Sequence, residues 1–253
     1  MRVVIRLIFA GLFLFVIGCH KKAAVNPIRL YAGAGMRPAV EALAAAFEQK
    51  SGMAVEVDYA GSGTLITHAM GNSDADLFMP GNVWYVDRLH EKTGNIEERQ
   101  TVSYFVPILI VAKGNPLEIR RVEDLINPDL RVALGNPAAC QIGRVSLRIL
   151  NNAGVEFKDL HVMESMTVNE LGVWIKMNHA DVAIVWDAIA MNMAGSVEII
   201  KIPPEINEIS TVVCGLMKSS DNKEAARRFM HFMGSPQGQA ILKEKGYRVE
   251  LNP

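Results

Sequence analysis

Three cysteines in 253 residues are too few for a disulfide-built scaffold. Basic residues are not in excess either: 26 Lys and Arg stand against 27 Asp and Glu, a formal net charge of −1. The chain therefore lacks the positive surplus that neutralises phosphates, and no nucleic-acid partner is expected. A charged fraction of 21% with 20 Gly and 11 Pro excludes a disordered or collagen-like chain. Beyond residue 17 no apolar run approaches the roughly 20 residues that a spanning helix needs. The length admits one large domain or two ordinary ones, each with its own core.

Signatures of catalysis are missing as well. Gly33-x-Gly35 has Pro38 where a dinucleotide fingerprint needs its third glycine. Gly61-Ser62-Gly63-Thr64 lacks the Gly-Lys-Ser/Thr ending of a phosphate-binding loop, and Ala60 occupies the first glycine position of a nucleophile elbow. The six histidines, at 20, 68, 90, 161, 179 and 231, show no metal-ligand spacing. Asp74-x-Asp76 is a weak carboxylate pair whose second member reads as a structural acid at a strand start. Met177, Met191, Met193, Met230 and Met233 fall on helical stretches, where filling a core is the ordinary role. No enzyme, no directly ligated metal and no cofactor are expected.

What is present begins at the N-terminus. Arg2 and Arg6 precede Leu7 to Ile17, eleven residues without a polar side chain, which reads as the apolar region of a secretory signal. Val16-Ile17-Gly18-Cys19 then resembles a bacterial lipobox, which implies a signal peptide over 1–18, a lipid anchor on Cys19 and a short tether over 19–27. Removing residues 1–18 leaves a net charge of −3. An exported chain permits a disulfide between Cys140 and Cys214, and equally permits two small buried thiols.

After the tether, strand and helix patterns alternate. Strands read at 28–32, 54–59 and 75–79 are each followed by a helix: the first carries Pro38 in its opening turn and stops at Ser51-Gly52, the second runs to about Met70, and the third covers 83–92. A long strand-like run over 102–112 contains Pro107, which predicts a bent or edge element. A second series follows: strands at 130–134, 159–163 and 181–186, helices at 143–152 and 167–177, then a second long apolar run at 210–217. Two C-terminal helices close the chain, one capped by Asp221 with Ala225, Phe229, Phe232 and Met233 inside, the other from Ser235-Pro236 to Gly246. The pattern predicts an α/β protein of two lobes, each a mostly parallel sheet flanked by helices. Lobe 1 is expected over 28–101 and 218–253 and lobe 2 over 102–217, joined by crossings near 102–112 and 210–217.

Small-residue turns at 33–36, 61–64 and 137–143 all sit between the end of a strand and the start of a helix. Open α/β sheets bind ligands at strand C-termini, and helix starts offer free N–H donors with a positive dipole. Glycine and serine there would let the backbone approach an anion, with the hydroxyls of Ser62 and Thr64 as further donors.

From Ile28 onward the chain resembles the periplasmic molybdate-binding proteins of ATP-binding-cassette importers, within the wider group of two-lobed solute-binding proteins. The resemblance rests on Tyr31-Ala32-Gly33-Ala34-Gly35, Gly61-Ser62-Gly63-Thr64-Leu65, Ala75-Asp76-Leu77-Phe78, Arg131 to Pro137, Ile184-Val185-Trp186 and Ser235-Pro236-Gln237-Gly238-Gln239. It implies a lipid-anchored, extracytoplasmic monomer that captures molybdate, tungstate or a similar tetrahedral oxyanion between its lobes and delivers it to an importer permease. Ser62 matches an oxyanion-binding serine of that family, and Gly35 falls where the family has another. Ile142 and Val168 fall at backbone donors, and Trp186 at the family's tyrosine. Ala34, Gly61, Gly63, Thr64 and Gly143 would support them as loop donors. Arg37 and Arg144, beside two of the loops, could restore by charge what the changed donors at 35 and 186 lose. An organic acid or other small solute, with Trp186 as a stacking surface, is the competing ligand, and an exported enzyme on the same scaffold the third reading.

Overall fold

The computed structural model describes residues 26–71, 74–193 and 195–251. The expected signal peptide, Cys19 and all but the last two residues of the tether lie outside them. In strand β1 (Ile28–Gly33) the residues Ile28, Leu30 and Ala32 are fully buried while Arg29 between them is exposed. Helix α1 (Arg37–Ser51) follows a single 3₁₀ turn. It buries Val40, Leu43 and Phe47 and ends where Gly52 turns left-handed at φ 72°. Next come β2 (Val55–Ala60), α2 (Ser62–Met70), β3 (Leu77–Met79) and α3 (Val83–Thr93). The carboxylate of Asp76 accepts from the Arg29 N–H and from the Ser220 hydroxyl, so it is a structural acid at the start of β3.

The run through Pro107 is two strands. β4 (Ile96–Phe105) and β5 (Pro107–Ala112) are separated by Val106 alone and belong to different sheets. The predicted bend is there, but only β4 lies at an edge; β5 is paired on both sides. Pro107 is tolerated because it is the first residue of its strand, where its missing N–H interrupts least. Strand β6 (Val132–Gly135) leads to α4 (Gln141–Asn152), and β7 (Val162–Ser165) to α5 (Val168–Lys176). The strand expected at 159–163 starts later because Phe157–Asp159 forms a turn. β8 (Val182–Trp186) runs into the short α6 (Asp187–Met191), and β9 (Val197–Lys201) into β10 (Ser210–Met217).

The two sheets have matching orders, β2-β1-β3-β10-β4 and β7-β6-β8-β5-β9. In each, three parallel strands meet an antiparallel fourth. The chain passes between them at Val106 and again over 202–209, both in the neighbourhood of the expected crossings, while 210–217 lies wholly within the first sheet. Helices α7 (Lys223–Gly234) and α8 (Pro236–Glu244) return to the first sheet, where Phe229 and Phe232 pack against Phe47. The N-cap of α7 is Asn222, one residue past the predicted Asp221, and no side chain caps it. Met230 and Met233 are buried as expected, but Met177 and Met191 are 58% exposed, because each ends its helix on the outer side. Cys140 and Cys214 are both buried and unpaired. No helix among the described residues is long and apolar enough to cross a membrane.

Candidate functional site

Between the sheets lies a cavity lined from the first by Gly33, Ala34, Gly35, Ala60, Gly61, Ser62, Gly81 and Phe105. From the second come Cys140, Gln141, Ile142, Thr167, Val168 and Trp186. Its walls are strand ends: β1, β2, β6, β7 and β8 all run toward it, as open α/β sheets require of a ligand site. Four helical segments also start there, at Ala34, Ser62, Gln141 and Val168. None of them has a side-chain N-cap, and only α5 has an acid in its first turn, Glu170, which is engaged by the Ser165 hydroxyl. Their first N–H groups thus keep a positive end directed at the cavity.

One hydroxyl stands among these donors fully buried. Ser62 Oγ accepts the Gly81 N–H at 2.9 Å, which leaves its own proton free to donate into the cavity. Trp186 is 2% exposed and stacks on Phe105 with ring centroids 4.9 Å apart and planes 7° from parallel. Its indole N–H has no acceptor among the described residues. Cys140 is the only titratable residue in the lining, and burial pushes its thiol up to about 11, so the wall is neutral at physiological pH. The cavity is small, about 20 Å³.

The five residues expected to hold the ligand, Gly35, Ser62, Ile142, Val168 and Trp186, are thus brought together, with Ala34 and Gly61 beside them. Gly63, Thr64 and Gly143 are not in the lining. The Gly63 N–H is already donated to Ala139 O across the cleft at 2.8 Å. A Cβ at Gly61 would stand 2.4 Å from Ala139 O, and one at Gly63 2.0 Å from Ala138 O. Their glycine character serves the approach of the opposite lobe rather than of an anion. Gly143 is likewise held against Gly135 O, where a Cβ would stand at 2.2 Å. Neither arginine supplies charge to the lining: Arg37 lies over Tyr59 at 4.0 Å and pairs with Glu41, and Arg144 lies over Trp84 at 4.2 Å. Phe105, Gly81 and Thr167 lie outside the expected residues and turns, while Cys140 and Gln141 belong to the expected 137–143 turn without having been singled out. Thr167 was findable as a polar residue one step before a helix start, whereas Phe105 and Gly81 reach the cavity only through the sheet order.

The lobes touch around this cavity. Besides the Gly63 bond, Asn169 Nδ2 donates to Ala34 O at 3.0 Å and Gln141 Nε2 to Ser210 Oγ at 3.2 Å. Two sheets of matching order, joined by two crossings and closed over a cavity of strand ends and helix starts, define a two-lobed binding protein.

Residues 28–248 match the bacterial extracellular solute-binding protein family, and the chain belongs to it. It is 29% identical over 220 residues to a putative binding protein of Haemophilus influenzae, covering 86% of this chain and 89% of that one. It is 24% identical over 222 residues to the molybdate-binding protein ModA of Mycobacterium tuberculosis, covering 87% and 84%. The fold matches the sulfate-binding protein SubI of Mycobacterium tuberculosis with a TM-score of 0.78 at 22% identity, over 89% of this chain and 88% of that one. The expected fold and the kinship with molybdate-binding proteins therefore hold, and with them an extracytoplasmic location.

Proposed function

We propose that this protein captures one tetrahedral oxyanion, molybdate, tungstate or a close analogue, between its lobes and passes it to an ATP-binding-cassette importer. The observation that carries the reading is the lining itself: four uncapped helix starts and the buried Ser62 hydroxyl meet in a cavity without a single charged side chain. Fixed N–H dipoles hold an anion there without a counter-ion, each of the three α-helix starts, at Ser62, Gln141 and Val168, carrying roughly half a positive charge. The small cavity favours one compact ion over an organic acid, and one face of Trp186 is already covered by Phe105. The lining also offers no carboxylate to accept the proton that phosphate carries at neutral pH. It presents no assembled nucleophile, base and orienting group, which favours binding over catalysis.

Titration calorimetry against molybdate, tungstate, sulfate and phosphate tests this reading. Heat is expected with unprotonated dianions and none with phosphate; silence with all four sinks the oxyanion assignment. The proposal extends to a monomer held at the membrane by lipid on Cys19 and docking on a permease. Cys19→Ala should release the protein from membranes, and retention of the variant in the membrane fraction would refute the anchor.

A further inference from the structure

Gly35 has no backbone need to be glycine: its φ is not among the positive ones. What it lacks is room. A Cβ there would stand 3.1 Å from Val168 Cγ1, 3.2 Å from Trp186 Cδ1 and 3.5 Å from Phe105 Cζ, three atoms of the cavity wall. Cδ1 is the ring carbon bonded to Nε1, so the edge of the indole that stands beside Gly35 is its N–H edge. One face of the ring is held by Phe105, which is 1% exposed and packs against Tyr247 with centroids 6.0 Å apart. Tyr247, itself 2% exposed, closes the circuit by donating its hydroxyl to Gly35 O at 2.6 Å.

Taking the oxyanion reading above as given, we propose that Gly35 and Trp186 are one steric unit, and that Trp186 is the specificity-determining residue of the site. The indole occupies the volume that a side chain at 35 would fill, and its N–H is the donor on that wall. The unit sets the size of the cavity, so a smaller ring at 186 should admit a larger anion and bind the native one less well. Exchange at 35 is then coupled to exchange at 186, since a Cβ at 35 forces the indole and Val168 to give by a few tenths of an ångström.

A double-mutant cycle over Gly35→Ser, Trp186→Val and the pair tests the claim, read by ligand-free Tm and by titration calorimetry with molybdate and sulfate; valine has no δ atom and so removes the one that meets position 35. Gly35→Ser alone should lower Tm by roughly 2 °C or more and affinity by roughly tenfold or more, as overpacking does. Trp186→Val alone should cost roughly tenfold in affinity or more through the lost N–H. In the Val background the serine should cost markedly less on both readouts. Additive effects on Tm would overturn the unit, and so would relief by Val168→Ala instead of by Trp186→Val, which would assign the collision to Val168. If no variant, nor the native protein, binds either anion, the oxyanion reading falls, while the Tm cycle still decides the packing claim.

Discussion

Ser62 shows how one hydroxyl is aimed by the group it serves second. Because Oγ takes the Gly81 N–H, rotation of its own proton is confined to the remaining directions, one of which is the cavity. Ser62→Ala should weaken anion binding by about 1–3 kcal/mol in calorimetry, since it removes a donor and leaves the Gly81 N–H unpaired; an unchanged Kd would remove Ser62 from the site. Cys140 makes the opposite kind of contribution, by staying neutral. With its thiol pushed up to about 11 and no other titratable group in the lining, affinity should vary by less than about twofold from pH 6 to pH 8. A steep dependence over that range would place a titrating group at the ligand.

Helix α2 carries two demands that pull apart. Alanine is the better helix former at position 63 by roughly 1 kcal/mol, yet its Cβ would stand 2.0 Å from Ala138 O on the opposite lobe. Gly63→Ala should therefore lower affinity by about tenfold or more in calorimetry, because the lobes can no longer meet as they do here. An unchanged Kd would mean that the contact of Gly63 with Ala138 is not needed for binding. The elements themselves were largely legible: Pro38, Ser51-Gly52 and Ser235-Pro236 mark helix ends through local backbone chemistry, and the structure has those ends. Strand β9 and helix α6 were not read: β9 buries none of its five residues, and α6 follows β8 with no turn between them. Pro107 was read as a bend, but which sheet each half joins depends on partners some 70 to 120 residues away in sequence.

At the scale of the whole molecule, carboxylates set the acid limit. Arg131 grips Asp181 through Nε and Nη2 at 3.0 and 2.7 Å and holds its carboxyl below the usual range, tying the start of β6 to that of β8. Arg227 and His231 hold Glu98 down in the same way on the other lobe, and Lys223 and Arg227 hold Glu97. A carboxyl whose folded pKa is depressed stabilises the fold above its unfolded pKa and loses that contribution as pH falls through the folded value. The urea midpoint should thus be flat above about pH 5 and fall steeply below about pH 4. Asp181→Asn should lower the neutral midpoint and make the acid limb shallower; a parallel shift at all pH values would show that this pair contributes no proton linkage.

Sequence alone determined the alternation of strand and helix, the small-residue turns at strand ends and five of the residues that meet at the cavity. The alternation and the turns follow from local rules, since burial period, capping and the backbone freedom of glycine act over a few residues; the five residues followed from the resemblance to the molybdate-binding proteins. Tertiary structure decided which glycines meet side chains of the cavity wall and which meet another backbone. Gly61 and Gly63 look alike in sequence to Gly35, yet the first two make room for Ala138 and Ala139 of the opposite lobe, and the third for the ring of Trp186. Contacts between residues this far apart are set by the sheet order and by where the chain crosses between sheets, and no local pattern encodes the distance between two backbones that only the closed fold brings together.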